Sequence, residues 1–288
     1  MISGIWSAVL TPITADLNPD ASLAVPYYRE LLERGCDGIN LLGTTGEAMS
    51  FSAEQRVAFM EAIATSGLPK ESVMAGTGAA SLGDAVRLTR CAFDCGFAAA
   101  LVMPPFFFRE VGDEGVVWFF DALLARAGAT PNSVLLYNFP RMSGIAFHAD
   151  LVDRLLEEFP GIIAGMKDSS NDPQLQRDVI SRHPELAVLP GSESDLLAAK
   201  TRGVSGCISG SVALWPELAE AVFSTRDEKQ AATLSRARAA LDGVPFVPAV
   251  RYLTAKLRDE PAWARAMPPQ PALTLGQRDA LDPLPRRF

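Results

Sequence analysis

The chain has 288 residues, 48% of them apolar and 21% charged, which is enough apolar material for one α/β barrel or two average domains. Its 34 acidic and 26 basic residues leave a net charge of −8, which repels phosphate backbones and anionic lipid and argues against nucleic acid or a membrane surface as partner. An anionic small substrate stays open, because it answers to the local field of its pocket.

The opening stretch, MISGIWSAVLTP, lacks a basic n-region, so no secretory leader is expected. Short apolar runs then occupy residues 5–10, 38–42, 73–76, 98–103, 134–137, 162–167, 187–189 and 206–209. Between them lie segments such as SAEQRVAFMEAIATSG and DEGVVWFFDALLARAG, with apolar residues at helical spacing and a terminal Gly as stop signal. The apolar runs are continuous, not alternating, which predicts strands buried on both faces, as in a parallel sheet. Eight such strands, each followed by a helix, predict an α/β fold, the (β/α)8 TIM barrel. A doubly wound open sheet is the alternative, weakened because no GxGxxG or GxxxxGK[ST] follows the first strand.

After Ser211 the pattern is helical only, so residues 1–215 are expected to form the barrel and 216–288 a helical appendage packed on it. AMPPQPALT and DPLPRRF read as ordered tail or surface segments. The most apolar run, CGFAAALVMPPFFF, is too short for a bilayer and carries two prolines. Cys36, Cys91, Cys95 and Cys207 are too scattered for a disulfide framework or a zinc site. Cys91 and Cys95 share a helix face, but no His lies near, so reduced core thiols and a cytoplasmic setting are expected.

Barrel chemistry sits at the C-terminal strand ends, and three of these carry unusual residues. The second strand runs into GTTGE, residues 43–47, where Gly43 and Gly46 allow close backbone approach and Thr44 and Thr45 bring hydroxyls. The loop reads either as an anion cradle or as a plain βα turn with Thr as helix cap. The fifth strand ends on Tyr137, a proton-transfer group or a core ring with a satisfied hydroxyl. The sixth ends on Lys167, in IIAGMKDSS. A lysine there can pair with Asp168, reach water, or serve as a desolvated amine that attacks carbonyl carbon. Taken together, the cradle, the phenol and the amine suit one small keto acid: the amine condenses with the ketone and the cradle holds the carboxylate.

With these motifs, AVLTP, GTTGE, AGTGA, YNFP, GMKDSS and GCISG, the chain resembles over nearly its whole length the dihydrodipicolinate synthase and N-acetylneuraminate lyase family of pyruvate-dependent class I aldolases. The resemblance implies Lys167 as Schiff-base lysine and Tyr137 as general acid/base. It also implies Thr44 and Thr45 at the pyruvyl carboxylate, with Thr44 in the proton relay, and Ile208 beside bound pyruvate. It implies a homotetramer built as a dimer of dimers, and no metal or organic cofactor, since the iminium is the electron sink.

The sequence departs from the synthase branch at two places. PPFFFRE puts Phe107 where that branch has a proton-relaying tyrosine, and phenylalanine carries no proton. YNFPRMSG puts Met142 where the branch has a carboxylate-clamping arginine, and shifts the arginine to Arg141. The polar positions of the branch's allosteric lysine site are occupied by Ala48, Met49, Ala53, Arg56 and Ala80. Glu193, in PGSESD, stands where lyases of the family bind substrate hydroxyls, and also where a helix N-terminus welcomes a carboxylate.

The expected activity is therefore that of a class I lyase making or cleaving a 2-keto-3-deoxy sugar acid or a 4-hydroxy-2-oxo acid, with pyruvate and a small aldehyde as partners. Dehydration of a keto-deoxy sugar acid uses the same iminium. Condensation of pyruvate with aspartate semialdehyde, with Arg141 recruited to the clamp, is the alternative. A non-catalytic keto-acid-binding barrel is another, and a pseudoenzyme could have lost Lys167 or Tyr137 without losing its fold. His148 and His183 read as surface or capping groups, and Phe106–Phe108 as site mouth or subunit contact.

Overall fold

The fold is taken from a computed structural model that describes residues 2–285. Eight parallel strands, β1 (Gly4–Ala8), β2 (Gly38–Leu41), β3 (Val73–Gly76), β4 (Ala99–Val102), β5 (Val134–Asn138), β6 (Ile163–Asp168), β7 (Ala187–Pro190) and β8 (Gly206–Ser209), form one sheet. Their order is β7-β6-β5-β4-β3-β2-β1-β8. At the seam, the N–H of Ser205 donates to the Val188 carbonyl at 2.9 Å, which brings β7 to β8 and nearly closes a TIM barrel. The eight expected strands are all present, with ends shifted by at most two residues.

The helices in chain order are α1 (Ala21–Glu33), α2 (Ala53–Ala64), α3 (Leu82–Asp94), α4 (Gly112–Ala127), α5 (Pro140–Ser143), α6 (Ala149–Glu158), α7 (Pro173–Arg182), α8 (Leu196–Arg202), α9 (Pro216–Thr225), α10 (Glu228–Ala239), α11 (Phe246–Arg258) and α12 (Leu275–Leu281). Their starts obey local rules. Ser52 and Gln55 form a capping box on α2, and Asp172 caps α7 through the N–H of Gln174. His148 caps α6, its ring accepting from the N–H of Leu151 at 3.3 Å. The four-residue α5 has no apolar period to betray it; Pro140 starts it and Gly144, at φ +73°, stops it. Helix α9 packs against β1 and α8, in the place of an eighth barrel helix.

Burial on both faces follows from two apolar layers. Ile39, Leu41, Val102, Leu136, Met166 and Val188 point outward into the strand–helix layer, which continues without a break into Leu234 of α10 and Val250 of α11. Trp6, Met74, Leu101, Leu135, Leu189 and Ile208 point inward and fill the barrel. Trp6 plugs its N-terminal end, and Gly38, opposite it in register, must be bare because a Cβ there would come within 2.3 Å of the indole. The barrel is thus solid below, and only its C-terminal end is free to carry polar groups. No helix among the described residues is long and apolar enough to cross a membrane. The expected tail DPLPRRF lies partly outside the described residues; its stretch up to Pro285 follows α12.

Candidate active site

Alternation along β6 decides where its two charged residues go. Met166 and Asp168 face the helices, so Lys167 between them faces the barrel interior, 4% exposed. Asp168 is fully engaged on the outer face: its carboxylate accepts from Asn138 Nδ2 at 2.8 Å, Gln176 Nε2 at 2.9 Å and the N–H of Ser170 at 3.0 Å. It is therefore not the lysine's partner, and Lys167 enters no ion pair with any described residue. Its Nζ instead lies over the ring of Tyr137, 4.6 Å from the centroid. The two residues sit opposite each other in the β5–β6 ladder.

Tyr137 is 4% exposed, and its hydroxyl lies 3.4 Å from Thr44 Oγ1. That is the long end of hydrogen bonding, a spacing that active-site contacts often have before substrate tightens them. Thr44 and Thr45 belong to the tight loop after β2, in which Leu42 and Glu47 both take left-handed backbone angles, φ +50° and +54°. Gly46 lets this loop lie against the end of β1; a Cβ there would sit 3.0 Å from Thr11 Oγ1 and 3.1 Å from the Val9 carbonyl. Gly43 is buried in the same loop, and a Cβ on it would come within 2.8 Å of Asn40 Oδ1. Thr45 turns toward Gly210, just beyond β8, and Ile208 on β8 belongs to the same inner cluster as Tyr137. The inward-facing amine, the phenol and the Thr44 hydroxyl thus meet at the open end, with Thr45 next in the same loop and turned toward β8. Such a set can form an imine, hold a carboxylate and move protons.

Residues 1–249 match the dihydrodipicolinate synthetase family. The chain belongs to that family. An uncharacterized DapA-like lyase of Chloroflexus aurantiacus is 34% identical over 271 residues, 92% of this chain and 90% of its own. Dihydrodipicolinate synthase from Agrobacterium tumefaciens str. C58 superposes with a TM-score of 0.91 at 28% identity, covering 98% of this chain and 99% of that one. A prophage protein of the family from E. coli K12, solved in complex with pyruvate, superposes with a TM-score of 0.86 at 26% identity, covering 98% and 96%.

Several family positions differ in setting from the central four. Arg141 and Met142 are exposed on α5. Phe107 and Phe108 are 76% and 71% exposed and pack edge to face on each other, whereas Phe106 turns in against the inner cluster. Arg56 is buried and donates to the carbonyls of Gly76 and Gly78, filling the space after β3 with its own guanidinium. Burial brings its pKa down to about 10.

Glu193 precedes α8 and is 0% exposed, with both carboxylate oxygens lacking a hydrogen-bond partner among the described residues. It lies close enough to Cys207 for its charge to help burial push that thiol well up. All four cysteines are buried and free. Cys91 and Cys95 bring their sulfurs to 4.0 Å, and burial raises the Cys91 thiol to about 12.

Two residues at this end escaped the sequence reading. Glu47, the last residue of GTTGE, is 4% exposed and ion-paired to Arg251 of α11, which is 0% exposed. An arginine on an amphipathic helix that also carries Lys256 and Arg258 reads as a solvated face, and nothing in the local pattern marks it as internal.

Proposed function

We propose that this protein is a pyruvate-dependent class I lyase acting on a 2-keto-3-deoxy sugar acid or a 4-hydroxy-2-oxo acid. The observation that carries the reading is Lys167: a buried lysine with no ion pair, its amine over the ring of Tyr137. A buried amine without a counter-charge costs stability, and a catalytic task accounts for its retention.

In the forward direction Lys167 Nζ attacks C2 of pyruvate, whose carboxylate is held by the hydroxyls and backbone of Gly43, Thr44 and Thr45. The carbinolamine loses water, with the Tyr137 hydroxyl as proton donor and Thr44 as its relay. The Tyr137 phenolate then takes a C3 proton from the iminium to give an enamine, which attacks the aldehyde carbon as Tyr137 returns the proton to the new alkoxide. Hydrolysis of the product iminium frees Lys167. Cleavage is the reverse: the 4-hydroxyl loses its proton, the C3–C4 bond breaks, and its electrons pass into the iminium. Ile208 packs against the pyruvyl methyl side.

Phe107 in place of a proton-relaying side chain, and Arg141 exposed on α5, favour a sugar-acid or keto-acid partner over aspartate semialdehyde. Glu193 adds nothing to this choice, because it lines a cavity with Val222 of α9 and Leu234 of α10, on the helix side of the barrel. The exposed Phe107, Phe108 and Trp118 suit a contact between subunits in the homotetramer that the family resemblance implies.

The test is borohydride trapping with pyruvate, followed by peptide mass spectrometry. A pyruvate-derived adduct on Lys167 is expected; folded protein with Lys167 unmodified would sink the mechanism. A panel of aldehydes that includes aspartate semialdehyde then separates the branches.

A further inference from the structure

The loop that carries Thr44 and Thr45 is anchored by a group that no barrel strand supplies. Arg251 lies in the middle of α11, with its guanidinium wholly inside the protein. Its Nε donates to Glu47 Oε2 at 2.5 Å, and Nη2 bonds the same oxygen and the Thr11 carbonyl, the latter at 2.8 Å. Nη1 reaches the Trp263 carbonyl at 3.4 Å. The other oxygen of Glu47 accepts the N–H of Met267 at 2.9 Å. One buried ion pair therefore ties together the loop after β1, the GTTGE loop, α11 and the segment that follows it.

Stability alone is a poor reason for this arrangement. Desolvating two charges costs several kcal/mol, and a well-packed apolar pair of equal volume often does as well. Burial pulls the Arg251 guanidinium below the ordinary arginine range, against the pull of Glu47. What an apolar pair would not supply is direction. A forked donor fixes the orientation of a carboxylate, and here that carboxylate belongs to a residue in left-handed backbone two positions after Thr45. A second contact points the same way. Gly210 is bare between Thr45 and Phe246, the first residue of α11; a Cβ there would lie 2.6 Å from Thr45 Oγ1 and 3.0 Å from the Phe246 ring.

We infer that Arg251 and Glu47 are positioning residues for the carboxylate cradle, so that pyruvate binding depends on α11. The C-terminal helices are in this sense part of the site and not an accessory to it. The inference rests on the reading of Lys167 and GTTGE as a pyruvate site. A shift of about 1 Å at a positioned group can cost on the order of a hundredfold, so small disturbances of the loop are measurable.

The test follows the initial rate of borohydride trapping on Lys167 against pyruvate concentration. It uses wild type, Arg251→Met, Arg251→Lys and Leu234→Ala, the last removing core volume from α10 without touching the loop. Half-saturating pyruvate is expected to rise about tenfold or more in Arg251→Met and less in Arg251→Lys, with the saturating rate changed far less. Leu234→Ala, although destabilised, is expected to keep the wild-type value. Should Arg251→Met fail to fold, Arg251→Lys still gives Glu47 a positive partner and carries the test. A labelled wild type with half-saturation unmoved in Arg251→Lys and in any folded Arg251→Met overturns the inference alone. An equal rise in Leu234→Ala overturns it too, by showing general loosening. An unlabelled wild type overturns the pyruvate reading, and this inference with it.

Discussion

Lys167 and Asp168 are adjacent on β6, both charged and both almost fully buried, and the protein treats them in opposite ways. Asp168 faces the helices and receives three hydrogen bonds, from Asn138, Gln176 and Ser170. Lys167 faces the barrel and is left with an aromatic ring. Burying a charge is costly unless it is paired, so the outer residue is satisfied as a structural group should be. The inner one carries the cost without a structural return. Two neighbours thus separate what holds the barrel from what the barrel holds.

The largest expected effect sharpens that contrast. Lys167→Met keeps the volume and removes the unpaired amine. Pyruvate labelling and turnover should fall below detection, while the denaturant midpoint stays or rises. A loss of stability in this variant would mean that the lysine is structural after all. Next in size is Tyr137→Phe, which keeps the ring under Nζ and removes only the hydroxyl. Turnover should drop by roughly 10²–10⁴-fold, with Lys167 still labelled, more slowly. Unchanged turnover would assign proton transfer to another group.

The same contrast explains what could be read in the chain. Continuous apolar runs located every strand. The sequence could not say which side of β6 lies inside, because both faces of a parallel barrel strand are apolar. Hence pairing of Lys167 with Asp168 stayed open until β6 was seen in place. Thr44 was legible because a Gly-rich loop after a strand is a local signal. Arg251 was not, because its partner lies 204 positions earlier and no period connects them. The α5 turn was missed for a related reason: four residues are too few to show a period.

On the outer face, Asp168→Ala should leave three donors without an acceptor and cost about 3 kcal/mol of stability, read from chemical denaturation. Folded protein should still be labelled at Lys167 at or near the wild-type extent. If labelling disappears while the fold persists, the outer network is positioning the lysine, and the division between the two faces of β6 fails.

The smallest effect belongs to Thr44→Val, which deletes the hydroxyl 3.4 Å from Tyr137 and keeps the shape. A neutral hydrogen bond of this length contributes about 0.5–1.5 kcal/mol, so turnover should fall roughly two- to tenfold. The pyruvate dependence tells the two roles of the loop apart. A fall in the saturating rate alone makes Thr44 a proton relay to Tyr137, whereas a rise in half-saturating pyruvate alone makes it a carboxylate ligand. If neither moves, the long contact is incidental, and Tyr137 must exchange its proton with water or substrate directly.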